Sequence, residues 1–110
     1  MISVTAVILI NDNKVLIAQR KPTDFLANKW EFPGGKIEIG ESPEECLKRE
    51  IKEEFSINIK VLGYFGENTH KYNNLEIKLI AYKALWSSGE IRLLEHQDYK
   101  WVSFDMNPII

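Results

Sequence analysis

The sequence predicts an α+β domain built on a mixed β-sheet, and two observations carry that prediction. Apolar runs rich in β-branched residues fall at 1–10, 15–18, 57–65, 75–86 and 99–104, each bounded by turn residues. Between the second and third lies one strongly marked helix that starts at Pro43. Several strands, one helix, then more strands give α+β layers rather than a β-α-β alternation. With 110 residues and neither repeat nor linker, the chain is expected to form a single domain, 1–110.

Taken in order, Asn11-Asp12-Asn13 is a turn signal, so residues 1–10 and 15–18 read as a hairpin. Residues 21–29 lack a period and contain Pro22, Asp24 and Asn28, which makes them a loop. Trp30-Glu31-Phe32 is a short extended piece, and Pro33 biases the residue before it away from helix. Gly34-Gly35 would allow a sharp turn at positive φ. Ser42 then suits an N-cap, Pro43 the first helical position and Glu45 the return bond of a capping box. Leu47, Ile51 and Phe55, four apart, form the buried stripe, with Cys46 beside it. Tyr72-Asn73-Asn74 and Ser87-Ser88-Gly89-Glu90 close the later turns.

Composition narrows the function. The apolar fraction of 45% and charged fraction of 27% are those of an ordinary globular protein. One cysteine, Cys46, excludes a disulfide framework, and with two histidines it cannot complete a Cys/His zinc site. The apolar start is too short to span a bilayer and has no basic leader, so no membrane partner and a cytoplasmic location are expected. A net charge of −2 argues against a nucleic-acid polymer. The charge is nevertheless uneven: five Lys or Arg against three acids in residues 1–37, then seven Glu against three cations in 38–54. A basic segment leading into an acidic one suits a small polyphosphate held between cations and a metal.

The helix supplies the metal reading. Glu50, Glu53 and Glu54 stand at i, i+3 and i+4 and share a face. Three carboxylates there repel, and a hard divalent cation with oxygen ligands offsets the repulsion while also holding phosphates. A solvated acidic face with Glu45–Arg49 pairing is the bland rival. His70 and His96 are expected on strand ends or loops, away from the chemistry, and Trp30, Trp86 and Trp101 in core or sheet-covering positions.

Gly35, Glu41, Arg49, Glu50, Ile51, Glu53, Glu54 and Ile57 resemble the signature box of the Nudix hydrolase family. That box reads Gly, five residues, Glu, seven residues, Arg-Glu, aliphatic, any, Glu-Glu, any, Gly, aliphatic. Ser56 stands where the box has its second Gly, which implies an altered helix C-cap rather than lost chemistry. The stretch 27–38 and Glu95, six residues before Trp101, are similar to members of the MutT type, which hydrolyse nucleoside triphosphates to the monophosphate and pyrophosphate. The resemblance implies a mixed sheet sandwiched by helices and the box as loop-helix-loop.

It also implies roles. Glu50, Glu53 and Glu54, with the Gly34 carbonyl and Glu95, would hold Mg²⁺ or Mn²⁺. Glu53 or Glu95 would take the proton of the attacking water, and Arg49 would orient Glu53 and offset the acidic cluster. Glu41 and Gly35 would be structural parts of the box, with Glu41 paired to Arg49. Arg20 stands like the family's phosphate-contacting arginine, Lys36 is a second candidate, and Phe32 would line a base pocket. The implied substrate is a nucleoside di- or triphosphate, with an oxidised purine nucleotide such as 8-oxo-dGTP first and CTP or dCTP as the alternative. A non-catalytic nucleotide sensor is the rival from another class. MutT-type chains continue into a second long helix where this one reads Asn107-Pro108-Ile109-Ile110, so the C-terminal helix is expected to be missing or truncated. Another subunit, as in a homodimer, would then cover that apolar face. Asn107 follows Trp101 too soon to serve as the family's purine-reading asparagine.

Overall fold

A computed structural model describes residues 1–103; Phe104 and the expectations attached to 107–110 lie outside them. Six strands and one α-helix follow in the order β1 (Ile2–Asn11), β2 (Lys14–Gln19), β3 (Trp30–Glu31), α1 (Pro43–Phe55), β4 (Asn58–Tyr72), β5 (Leu75–Ser88) and β6 (Asp98–Ser103). All six strands join one mixed sheet in the order β3-β2-β1-β5-β4, with β6 paired to β2. β1 and β5 are its parallel pair, in register from Ile2↔Ile77 to Ile10↔Leu85.

The first hairpin forms as the turn signal requires. Asp12 and Asn13 take φ of 52° and 60°, the two left-handed residues that a tight two-residue turn needs. Strand alternation then sorts the apolar side chains of β1 to opposite faces. Val7 and Leu9 join Leu16, Leu47, Ile51, Phe55, Ile57 and Ala84 under α1, forming the main core. Ala6 and Ile8 turn the other way with Val15 and Ala81, against the half-buried Phe32, Leu79 and Val102. Trp86 and Trp101 stack beside the main core at 6.3 Å between centroids.

One strand boundary differs by several residues from expectation. β4 runs to Tyr72 instead of ending near residue 65, because the turn at Asn73 (φ 55°) fixes the pairing Tyr72↔Leu75 and the backbone ladder continues through polar residues. Register shifts near Gly63 and Gly66 bend β4 where a regular period would have been sought. Residues 66–71 lack the apolar alternation that marks a strand, so the sequence pattern ends near residue 65.

The helix that carries the acidic residues is capped at both ends. Ser42 Oγ accepts from Glu45 N at 3.1 Å and Glu45 Oε1 accepts from Ser42 N at 2.9 Å, closing the capping box. Glu45 is therefore a cap partner, not the i,i+4 partner of Arg49. At the other end Ser56 sits at φ 61°, ψ 28° and its N–H bonds Lys52 O. A side chain in that left-handed conformation costs about 1 kcal/mol that glycine avoids. Ser56→Gly is accordingly expected to raise the unfolding temperature by about 2–4 °C in a calorimetric scan, with activity unchanged.

Candidate active site

The period of α1 grades its three glutamates by depth. Glu54 follows Ile51 by three and so turns onto the buried stripe, with its side chain 9% exposed. Glu50 is on the shoulder at 20%, and Glu53 reaches outward at 53%.

Arg49 organises the outer part of the group. Its Nε donates to Glu41 Oε2 at 2.6 Å and its Nη2 to Glu41 Oε1 at 3.0 Å, a two-pronged pair that joins the loop to the helix. Nη1 donates to Glu50 Oε1 at 2.7 Å and to Glu53 at 3.2 Å, and Nη2 also meets Lys36 O at 3.1 Å. The Arg49 hydrogen bond holds the Glu41 carboxyl down at about 2, and the same set of bonds pushes the guanidinium upward. Among the described residues no three His, Cys, Asp or Glu side chains already converge as a cation cage. The guanidinium, spread over Glu50 and Glu53, faces those carboxylates toward itself.

The Gly-Gly pair works differently from the expected turn. The positive-φ glycines are Gly40 and Gly89, and neither Gly34 nor Gly35 is among them. What this segment needs is room. A Cβ on Gly34 would lie 1.9 Å from Thr5 O, and one on Gly35 would lie 2.3 Å from Glu50 Cδ. Pro33 O and Gly35 O accept from Val7 N and Thr5 N at 2.7 and 2.8 Å, so both carbonyls face β1.

A cleft of about 350 Å³ collects these groups: Gly34, Glu50, Glu53, Glu54 and Glu95, together with Arg20. Sequence reasoning missed three further members, Asp24, Glu31 and His96. His96 is on a loop, as expected, but it is buried and lines the cleft instead of standing apart from it, with its Nε2 2.9 Å from Glu31 Oε2. Glu31 in turn accepts from Arg20 Nη1 at 3.3 Å, and Arg20 Nε donates to Phe25 O at 2.7 Å. No periodic signal could have found Glu31 or His96, because register and loop closure bring them in. Lys36 is exposed and absent from the cleft lining; its backbone pairs with Val4. Phe32 lies beside the cleft, in a second hollow of about 340 Å³ that also includes Phe25, Trp30, Leu79, Arg20 and Gly34.

Burial, then contact with Glu50, then the charges of Glu50, Glu31 and Glu95 push the Glu54 carboxyl up to about 10. Glu54 Oε1 and His96 Nδ1 are both buried without a hydrogen-bond partner. An all-oxygen donor set with a carboxyl disfavoured as an anion by its neighbours fits a hard divalent cation, which would reverse that preference.

This geometry has counterparts. The NUDIX domain family matches residues 1–109. CTP pyrophosphohydrolase of Escherichia coli (strain K12) is 37% identical over 103 residues, covering 94% of this chain and 76% of that protein. The 8-oxo-dGTP diphosphatase of the same strain is 35% identical over 92 residues, covering 84% and 71%. In three dimensions the MutT protein from Methanosarcina mazei Go1 superposes with a TM-score of 0.86 at 26% identity, over 94% of this chain and 78% of that one. The mixed sheet, the capped glutamate helix and the domain match together place this chain in the Nudix family, as a Nudix hydrolase.

Proposed function

We propose that this Nudix hydrolase cleaves nucleoside triphosphates to the nucleoside monophosphate and pyrophosphate, using Mg²⁺ or Mn²⁺, with an oxidised purine nucleotide such as 8-oxo-dGTP preferred. The observation that carries the reading is the gathering of Glu50, Glu53, Glu54, Glu95 and Gly34 with Arg20 in one cleft. Nudix hydrolases work with divalent cations on nucleotides, and Glu50, Glu53, Glu54 and Glu95 with the Gly34 carbonyl would hold the cation here. When bound, it would polarise phosphate oxygens and lower the pKa of water.

The remaining roles belong to the chain itself. Arg20, fixed by Glu31 and the Phe25 carbonyl, presents positive charge to the phosphates from the cleft lining. Arg49 limits repulsion among Glu41, Glu50 and Glu53 and keeps Glu53 aligned. Glu53 and Glu95, both exposed carboxylates on the cleft, are the candidates to accept a proton from the attacking water. The neighbouring hollow, lined by Phe25, Trp30, Phe32 and Leu79 and sharing Arg20 and Gly34 with the acidic cleft, suits a flat base. A CTP or dCTP substrate is the second reading, supported by the similarity to CTP pyrophosphohydrolase.

A panel of 8-oxo-dGTP, dGTP, CTP and dCTP with Mg²⁺, resolved by chromatography with separate pyrophosphate and orthophosphate assays, tests this. Monophosphate and pyrophosphate are expected, with kcat/KM for 8-oxo-dGTP at least about tenfold above dGTP. Higher kcat/KM for CTP would replace the purine reading by the pyrimidine one. Tight binding of nucleotide without turnover would replace the enzyme by a sensor.

A further inference from the structure

His96 has no part in the proposed hydrolysis, yet at 6% side-chain exposure it is more enclosed than Glu54. Its ring lies nearly parallel to Phe55, at 5.4 Å and 13°, which sets its plane. The segment that carries it is tied down on both sides. Arg92 N and Leu94 N donate to Phe55 O and Glu54 O at the end of α1, and Gln97 N donates to Gln19 O on β2. So held, the imidazole spans two carboxylates: Nε2 meets Glu31 Oε2 at 2.9 Å, and Nδ1 faces Glu54 Oε1 at 3.8 Å.

Those last two atoms are the buried side-chain polar atoms without a hydrogen-bond partner among the described residues. Buried polar atoms are nearly always paired, so two orphans facing each other mark an arrangement completed by a small adjustment. Bringing them to hydrogen-bond distance takes a movement of about 1 Å. Carboxylates that bind metals are themselves commonly held by an outer hydrogen bond, which fixes the direction they present.

We infer that His96 is a positioning residue for Glu54: braced by Phe55 and Glu31, its Nδ1 fixes the direction in which Glu54 presents its carboxylate to a divalent cation. The inference rests on the reading of Glu54 as a cation ligand. It also links Arg20 to Glu54, because Glu31 holds Arg20 as well as His96.

Mn²⁺ affinity of the nucleotide-free protein, measured by electron paramagnetic resonance, tests it without recourse to turnover. His96→Phe keeps a flat ring against Phe55 and removes both nitrogens; its Mn²⁺ Kd is expected to rise at least about tenfold. His96→Asn leaves a polar atom near the place of Nδ1 and is expected to return to within about threefold of wild type, whereas His96→Gln, polar near Nε2, is not. A His96→Phe protein that folds and binds Mn²⁺ like wild type would overturn the inference. Equal Mn²⁺ affinities for the Asn and Gln variants would overturn it too, and that comparison decides the matter if the Phe variant does not fold. Glu54→Gln run in parallel separates the two levels. If it binds Mn²⁺ normally, the ligand reading of Glu54 fails; if it alone loses Mn²⁺, only the role of His96 does.

Discussion

Exchanging Glu53 for Gln is expected to lower kcat by more than about a hundredfold while shifting the unfolding temperature of the cation-free protein by less than about 2 °C. The two readouts part because of where Glu53 stands. Its side chain is 53% exposed and meets Arg49 at 3.2 Å across one helical turn. An exposed pair at that spacing contributes about 0.3–0.5 kcal/mol, and the Gln amide oxygen still accepts from the guanidinium. Little stability is therefore at stake. The chemistry depends on the negative charge, which Gln lacks, whether the residue holds the cation or takes the proton. Steady-state kinetics at saturating Mg²⁺, with a parallel calorimetric scan, give both numbers. Activity within a few fold of wild type would return Glu53 to a solvated helix face and remove it from the site.

Much of this arrangement was legible in the residues before any coordinates. The capping box at Ser42 and Glu45, the stripe of Leu47, Ile51 and Phe55, and the Arg49–Glu41 pair are local events, decided within one or two helical turns. The hairpin at Asp12-Asn13 is local too, because those two residue types tolerate the left-handed backbone that the turn demands. What could not be read is what depends on strands meeting across the sheet. Glu31 enters the cleft because β3 pairs with β2 at Ala18↔Glu31, and His96 because its loop is stitched to both α1 and β2. The Gly-Gly pair shows a subtler limit. Two glycines suggest backbone freedom, but here they supply clearance for Thr5 O and for the Glu50 side chain, which only packing reveals. The depth of Glu54 belongs with these. Its neighbours Glu50 and Glu53 have the same chemistry, and a single residue step, about 100° of helical rotation, separates half-exposed Glu53 from buried Glu54.

That depth yields the opposite signature for Glu54→Gln, which is expected to stabilise the cation-free protein as it removes activity. In the unfolded chain the carboxyl ionises near 4.5, whereas in the fold it keeps its proton up to about 10. Between those values the folded state binds more protons than the unfolded one, so the contribution to stability falls as pH rises. It is complete below about pH 4.5 and is lost progressively through pH 10. Gln has no proton to lose, so in EDTA the variant should match wild type near pH 4.5 and exceed it by a margin that grows as the pH is raised toward 8. Adding Mg²⁺ or Mn²⁺ should then raise the unfolding temperature of wild type, through preferential binding to the fold, and leave the variant nearly unmoved. Hydrolysis should fall by more than about a hundredfold. Thermal scans at several pH values, with and without cation, distinguish this from a merely structural carboxyl. A structural role predicts a variant less stable at every pH. A site held ready for a cation predicts one that is more stable without it, because the strain of a buried carboxyl ringed by Glu50, Glu31 and Glu95 is relieved only when positive charge arrives.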